Sequence, residues 1–419
     1  MPASLKTGNL PLVLFCLLAI GCSHERKYSL MPTPVLFTHS KLDPFAHLTE
    51  NHKTPDTQVF YATTRSRQDD KNGIKYGNSF SSDLHLGTAD AFLADPSDTW
   101  IKLRDTTLTN TGETPVPLTL GKIEELATLT SSEDNNPSAE AFAQKINAQL
   151  ATALDKEIMI YVHGTKVDFE NSALLTAEID HFAGRDFVGV AFAWPSHQNI
   201  FSYFLGEDVK RARHSGEPLK QLIKFLAKNT RAEKINILSY SAGGRVTSKA
   251  LESLHSDSSS SKKQNRIGTV VFAAADVELD SFLNRLEPIS KVSEHVVITM
   301  SDADNALIAG ERFMGGGSRA GEEKSLQAEV DFIEKKHLKN VEIIDVSAGR
   351  ELRGFDITGH HYWYRHPWMS SDIVLTMRTG LTAAQRGLSP SEMGGVWYFS
   401  ADYPNKVTEA ATKHLSGQW

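Results

Sequence analysis

Cysteine is nearly absent from this chain. Its 419 residues include only Cys16 and Cys22, and no group of cysteines and histidines has the spacing of a zinc site. A disulfide-rich scaffold and a structural zinc fold are therefore excluded. Because 40% of the residues are hydrophobic and 23% are charged, we expect a globular protein stabilised by a large core.

An excess of positive charge is also lacking. The formal net charge is -7 at pH 7, whereas a nucleic-acid-binding surface requires a basic face. We therefore expect no nucleic-acid partner. No motif in the chain predicts a cofactor or a metal site.

A long apolar run is lacking as well. The apolar stretch from Leu10 to Ile20 follows Lys6 and is too short to span a bilayer, as is typical of a signal peptide. Leu18-Ala19-Ile20-Gly21-Cys22 resembles a bacterial lipobox, whose cysteine is acylated and becomes the mature N-terminus. We predict a lipoprotein signal peptide over residues 1–22, lipidation at Cys22, and a membrane-anchored protein on the periplasmic side of the envelope, with the outer membrane as the expected site. The alternative is an ordinary signal peptide cut nearby.

The rest of the chain divides by composition. Prolines and polar residues predict a linker over residues 23–57, and short β-type runs such as Trp100 to Leu103 predict a β-rich extension over residues 58–135. This extension would add strands to a sheet edge or form a small cap. Residues 136–380 form the predicted core, and residues 381–419 a C-terminal covering segment.

The core alternates apolar strands with helices. The strands are apolar runs without period-2 alternation, which indicates an α/β protein with a mainly parallel sheet and helices on both faces. The predicted strands are Ile158–Val162, Phe187–Ala193, Ile235–Leu238, Ile267–Ala274, Val296–Met300 and Val341–Val346; the predicted helices are Ser138–Leu154, Glu170–Phe182, Asp208–Lys228, Gly243–Leu254, Leu279–Leu286 and Leu326–Lys336.

Ser241 follows one of these strands directly and precedes a helix. Ligands bind beyond the carboxyl ends of strands in open parallel sheets, so a serine here can act as a nucleophile on a strand-to-helix elbow. The residues two before and two after it are Ser239 and Gly243, which are small enough for strand and helix to approach. Around Ser239 the corresponding residues include Ile237, which would clash. The alternative role of Ser241 is helix capping.

Several blocks of the chain together resemble an uncharacterised bacterial family of α/β-hydrolases, the domain-of-unknown-function family 900. The resemblance covers most of the mature chain and implies the α/β-hydrolase fold, to which we add the β-rich extension. Tyr240 and Thr165 depart from the family, in which histidine and tyrosine are common at these positions. The blocks are Val59 to Arg65, Tyr161 to Thr165, Ala193 to Ser196 with Tyr203 and Asp208, Ser241 to Val246, Ala274 to Val277, Ser301 to Leu307, and Gly359 to Tyr362.

Three aspartates are candidates for the acid that orients a catalytic histidine. We favour Asp304, because Ser301-x-x-Asp304-x-x-Leu307 is similar to the G-x-x-D-x-x-V loop that carries the acid in many α/β-hydrolases. The alternative acid is Asp276, which follows the preceding strand but is also typical of a turn or a helix cap. Asp302 ranks third.

The catalytic base must follow the acid and lie on the same sheet edge as Ser241. His360, His361 and His366 meet this requirement. His360 fits the family block best, and His361 is the alternative base. Serine, acid and histidine then occur in the chain order of α/β-hydrolases.

The backbone N–H groups of Thr165 and Ala242 are the predicted oxyanion hole. His163, Gly164, Trp194 and Tyr240 are assigned to the substrate-binding surroundings. We expect His163 to shape its turn by hydrogen bonds rather than to act as a base, and core packing is the alternative role of Trp194.

These residues predict a serine hydrolase acting on small ester or acyl substrates by a Ser-Asp-His triad, with thioesters and amides as further options. The alternative is an envelope lipoprotein that uses a hydrolase scaffold for binding or assembly. The presence of all three types of triad residue argues against it.

Overall fold

A computed structural model of the protein describes residues 28–40, 42–71, 73–130, 137–199, 202–203, 205–257, 265–302, 304–314, 317–347 and 360–419. The predicted signal peptide and Cys22 lie outside these ranges. Within them, no helix has both the length and the apolar character that crossing a membrane requires.

Twelve strands form one sheet in the described part of the chain, in the order β1-β4-β3-β2-β6-β5-β7-β8-β9-β10-β12-β11. The eight strands from β2 to β12 in this order are parallel to one another, while β1, β4 and β3 at one edge and β11 at the other edge pair antiparallel. The strands are β1 (Tyr28–Ser29), β2 (Asp56–Asp70), β3 (Gly73–Phe92), β4 (Pro117–Leu129), β5 (Glu157–Val162), β6 (Val188–Ala193), β7 (Lys234–Tyr240), β8 (Ile267–Ala273), β9 (Ser293–Met300), β10 (Val341–Asp345), β11 (Ser389–Pro390) and β12 (Val396–Tyr398).

Helices follow most of the parallel strands, as βαβ connections require. They are α1 (Val35–Thr38), α2 (Trp100–Thr109), α3 (Pro137–Thr152), α4 (Phe169–Phe182), α5 (Glu207–Asn229), α6 (Gly243–Ser256), α7 (Leu279–Val292), α8 (Asn305–Met314), α9 (Leu326–Lys336), α10 (Tyr362–Arg365), α11 (Pro367–Thr379) and α12 (Tyr403–Leu415), with short 3-10 turns at Glu50–His52 and Glu323–Ser325.

Each central strand is buried on both faces. In β5, Ile158 and Ile160 join one hydrophobic cluster, whereas Met159 and Tyr161 join a second cluster on the opposite face. Side chains of α3, α5, α6, α7 and α9 cover the first face, and those of α1, α2, α4, α11 and α12 cover the second. The predicted α/β class with helices on both faces of a mainly parallel sheet is confirmed.

The parallel register brings the ends of the central strands to one edge. Val162 of β5 pairs with Ser239 of β7, and Ser239 pairs with Phe272 of β8. The loops that follow these strands therefore start side by side, and this edge carries the candidate site.

The β-rich extension adds strands to the sheet edge, one of the two arrangements that the sequence left open. β2 pairs parallel with β6, and β3 and β4 continue the sheet antiparallel. The expected β-type run at Trp100 to Leu103 is wrong, since these residues begin α2. Thr99 caps this helix by accepting the N–H of Lys102, and Asp98 pairs with the Lys102 side chain, so local capping outweighs the strand-like composition.

The predicted linker, residues 23–57, is wrong over its described part. Leu36 and Phe45 are buried, the backbone N–H of Leu36 donates to the Ser371 hydroxyl, and that of Met31 donates to the Glu178 carboxyl group at 2.5 Å. A few apolar residues between prolines are enough to dock this segment on the second face. The C-terminal segment covers the same face with α12 and also extends the sheet with β12.

Candidate active site

Ser241 lies at a sharp turn between β7 and α6. Its φ angle is +51°, in the left-handed region that is disfavoured for residues with a Cβ. Three backbone hydrogen bonds fix this conformation: Ser241 N–H donates to Ala273 O at 2.9 Å, and Ser241 O accepts from Gly244 N–H at 2.9 Å and from Asp276 N–H at 3.2 Å. The sequence-predicted elbow is therefore present, and its strain is balanced by bonds to β8 and to the helix.

The neighbours of Ser241 are small because other backbone lies against them. A Cβ on Gly243 would lie 2.4 Å from Val162 O and 2.7 Å from His163 O, so only glycine fits where the helix crosses β5. Ser239 is fully buried within the sheet. A Cβ on Gly164 would lie 2.9 Å from Ser241 Cβ, which places the loop after β5 directly against the serine.

His360 joins Ser241 to Asp304. The distance from His360 Nε2 to Ser241 Oγ is 2.7 Å, and that from His360 Nδ1 to Asp304 Oδ2 is 2.6 Å. Asp304 is buried, and its Oδ1 accepts the N–H groups of Ala306 and Leu307, both at 3.1 Å, in the first turn of α8. Since Asp304 accepts from Nδ1–H, Nε2 carries the lone pair that can take the Ser241 proton. The structure thus brings together the three favoured residues.

Asp276 has different partners. Its carboxylate faces Arg245 Nη2 at 3.3 Å and Arg319 Nε at 3.2 Å, while its backbone N–H donates to Ser241 O at 3.2 Å. Burial raises the pKa of Asp276 to about 7, and the attraction of Arg319 opposes this shift only in part. Asp276 supports the elbow from behind, where its carboxyl group contacts two arginines.

His361 points towards aromatic side chains. Its ring centroid lies 6.3 Å from that of Tyr240 and 5.7 Å from that of Tyr364. Tyr240 itself lies beside the candidate base, with ring centroids 5.1 Å apart and its hydroxyl donating to His360 O at 3.4 Å. Of the two neighbouring histidines, the one that contacts Ser241 Oγ and Asp304 is His360.

His163 and Trp194 are core residues, which corrects their assignment to the substrate-binding surroundings. Both are fully buried, their rings stack at 5.2 Å with an interplanar angle of 8°, and Trp194 Nε1–H donates to His163 O at 2.6 Å. Burial, reinforced by the charge of Arg65, lowers the pKa of His163 to about 3, so the ring stays neutral. Its Nδ1–H donates to Gly164 O at 2.7 Å, as the expected turn-shaping role requires.

Two buried side chains near this loop were not singled out from the sequence. Asp208 accepts a hydrogen bond from the Thr165 hydroxyl, and Arg65 donates one to Val167 O. Asp208 and Arg65 belong to the blocks of the family resemblance, which is the one signal that could have found them. In the described ranges, no group of three or more His, Cys, Asp or Glu side chains is arranged to hold a metal ion.

A mainly parallel sheet with an elbow serine, a buried acid and a histidine at its carboxyl edge defines an α/β-hydrolase. Residues 138–378 match the sequence model of a family described as alpha/beta hydrolases of unknown function (DUF900), and the chain belongs to this family. A search among curated proteins found no significant match.

Solved structures with distant similarity include an uncharacterised protein from Bacillus cereus ATCC 10987, at 18% identity over 46% of this chain and 53% of that chain, with a TM-score of 0.32. The chain thus spans about half the length of that protein. Thermogutta terrifontis esterase 2 phosphoramylated by tabun matches at 13% identity over 57% of this chain and 86% of that chain, with a TM-score of 0.34. A lipase-esterase related protein from Clostridium acetobutylicum ATCC 824 matches at 9% identity over 54% of this chain and 96% of that chain, with a TM-score of 0.27.

Proposed function

We propose that this protein is a serine hydrolase that cleaves small ester substrates by acyl transfer through Ser241. The observation that carries the proposal is the continuous hydrogen-bonded chain from Ser241 Oγ through His360 to Asp304, with distances of 2.7 and 2.6 Å, at a serine whose φ angle is +51°. This combination supplies a nucleophile on a sharp turn, a base within reach of its proton, and an acid that fixes the base.

Acylation begins when Ser241 Oγ bonds to the substrate carbonyl carbon and its proton passes to His360 Nε2. The carbonyl oxygen becomes an oxyanion, and Asp304 stabilises the imidazolium that has formed. The proton on Nε2 then passes to the leaving alcohol oxygen as the ester C–O bond breaks. In deacylation, His360 Nε2 takes a proton from water as the water oxygen bonds to the acyl carbon. The bond between that carbon and Ser241 Oγ then breaks, the acid product leaves, and Oγ recovers the proton from His360 Nε2.

The oxyanion is stabilised by the backbone N–H groups of Ala242 and Thr165. Ala242 directly precedes α6, whose N-terminus adds a positive partial charge. Thr165 supplies the second N–H donor from the loop that follows β5, because its neighbour Gly164 packs against Ser241. Removal of one such donor lowers kcat by a factor on the order of 10²–10³. Esters are the proposed class by analogy with the fold, and thioesters or amides would follow the same steps.

A fluorophosphonate probe and short p-nitrophenyl esters test this proposal on the purified protein. Ser241→Ala should abolish labelling and hydrolysis, whereas Ser239→Ala should keep most of both. Ser81→Ala is the matched control, since Ser81 Oγ also lies near a histidine, His85 Nε2 at 3.2 Å, but within a strand rather than at an elbow. An unlabelled wild type would refute the hydrolase proposal and favour a binding or assembly role.

We further propose that lipid attached to Cys22 anchors the protein to the bacterial envelope on its periplasmic side, expected at the outer membrane. The support is the lipobox-like sequence that ends at this cysteine. Several acyl chains on one N-terminus give stable membrane attachment. The enzyme would then meet its substrate at or near a membrane surface.

A further inference from the structure

The loop of residues 163–168, which carries Thr165, is held by side chains from distant parts of the chain. The Thr165 hydroxyl donates to Asp208 Oδ2 at 2.6 Å, across 43 positions of sequence. Arg65 Nη2 donates to Val167 O at 2.5 Å, across 102 positions. Such long-range bonds fix the loop to the sheet and to α5, so its geometry is set before any substrate binds.

Asp208 is built to hold the Thr165 hydroxyl. It is fully buried in the first turn of α5, where the positive end of the helix dipole stabilises a carboxylate. Its Oδ1 also faces the backbone N–H and the Nδ1 atom of His197, at 3.1 and 2.9 Å. In this bond the Thr165 hydroxyl is the donor and Asp208 Oδ2 is the acceptor. That hydrogen is therefore committed and does not serve the oxyanion.

The peptide unit between Gly164 and Thr165 is fixed at its other end by His163. The Nδ1–H of His163 donates to Gly164 O at 2.7 Å. Because a trans peptide is planar, the Thr165 N–H points away from the carbonyl of Gly164 and hence away from the His163 ring. Gly164 packs against Ser241, so this N–H belongs to a peptide unit beside the nucleophile.

From this arrangement we infer that Asp208 is a positioning residue of the oxyanion hole. It acts through the Thr165 hydroxyl, and the inference rests on the proposed hydrolase function. Asp208 touches neither the substrate nor the serine in this role. Its loss should allow Thr165 N–H to shift relative to the oxyanion, and a displacement of about 1 Å can cost on the order of 10²-fold in rate. Substrate binding in the ground state should change little, so kcat should fall while KM stays nearly constant.

Thr165→Val tests the inference, because it replaces the hydroxyl by a methyl group of similar shape. We expect kcat for a p-nitrophenyl ester to fall about 10- to 100-fold, with KM changed less than about twofold. Thr165→Ser keeps the hydroxyl and should recover most of the kcat. Thr230→Val is the matched control, since the buried Thr230 hydroxyl donates to Leu226 O at 2.7 Å at the far end of α5. It should lose stability but keep kcat.

Asp208→Ala should reproduce the kinetic effect of Thr165→Val. If the two side chains act as one unit, the double variant should lose no more kcat than either single variant. Circular dichroism and denaturant unfolding would establish that each variant is folded. Three results would overturn this inference but not the proposed function. They are a double variant in which the two losses of kcat multiply, a Thr165→Ser variant as impaired as Thr165→Val, and a Thr165→Val variant with wild-type kcat. A wild type without labelling or hydrolysis would overturn the proposed function and the inference with it.

Discussion

The conformation of Ser241 predicts an inverted stability order for two substitutions. Ser241→Ala and Ser241→Gly both remove the nucleophilic hydroxyl, so both should be inactive. They differ only in the Cβ, which the alanine variant keeps at a φ angle of +51° and the glycine variant lacks. At ordinary φ angles glycine is the less stable of the two, and at this elbow we expect it to be the more stable.

The magnitude follows from two opposing free energies. A residue with a Cβ in the left-handed region is destabilised by roughly 1–2 kcal/mol, which the glycine variant avoids. The unfolded chain is more flexible with glycine at this position than with alanine, which lowers the stability of the glycine variant by about 0.5–1 kcal/mol. Ser241→Gly should therefore be more stable than Ser241→Ala by about 0.5–1 kcal/mol.

Urea unfolding of both variants measures this difference directly. The same pair of substitutions at Ser172 is the control, because Ser172 is fully buried within helix α4, where glycine should be less stable than alanine by about 0.8–1 kcal/mol. The two sites should thus give opposite signs. Equal penalties for glycine at both sites would show that the elbow stores no strain.

Five further substitutions test other parts of the structure. Gly164→Ala should slow fluorophosphonate labelling by about 10²-fold, since its Cβ would lie 2.9 Å from that of the nucleophile; labelling at the wild-type rate would contradict this close approach. Asp304→Asn should lower kcat by about 10³–10⁴, and Asp276→Asn much less; the reverse ranking in folded variants would assign the acid to Asp276. Burial raises the pKa of Glu178 from 4.5 to about 8, so at pH values between these two the folded state binds a proton that the unfolded state lacks. In this range the unfolding free energy falls by up to about 1.4 kcal/mol for each unit that the pH rises. Glu178→Gln should flatten this dependence in urea unfolding at pH 5 and pH 8.5, and an unchanged slope would refute the cause. Cys22→Ser should move the protein from the membrane fraction to the soluble one, and an unchanged fraction would exclude the anchor.

The sheet could be predicted because its strands carry a strong local signal. A strand buried on both faces is an apolar run, and helices between such runs leave few ways to fold. Helix α9 has the predicted bounds, and β5 differs from its prediction by one residue, Glu157. The elbow was predictable for a similar reason, since the small residues around Ser241 reflect a steric limit that acts within five positions of sequence.

Contacts between distant segments could not be predicted in the same way. The docking of the segment from Tyr28 onwards depends on a few apolar residues that meet α4, α11 and α12, and prolines mask them in the sequence. Helix α2 buries only Leu103 and Thr107, too few to give a helical period. The bond between Thr165 and Asp208 depends on where α5 begins relative to the β5 loop, which only the packed structure defines.

If Cys22 carries lipid as proposed, the position of strand β1 limits the distance between the protein and the membrane. Tyr28 pairs with Leu118 of β4, and its hydroxyl donates to Asp168 at 2.9 Å, so position 28 already belongs to the packed domain. With Cys22 acylated as proposed, only the chain from position 22 to position 28 separates the lipid from the domain. Fully extended, that distance is at most about 21 Å, whereas a linker to position 57 would have allowed more than about 100 Å. Such a short tether would keep the protein beside the bilayer, so that it could bind only molecules within, on or just above the lipid surface.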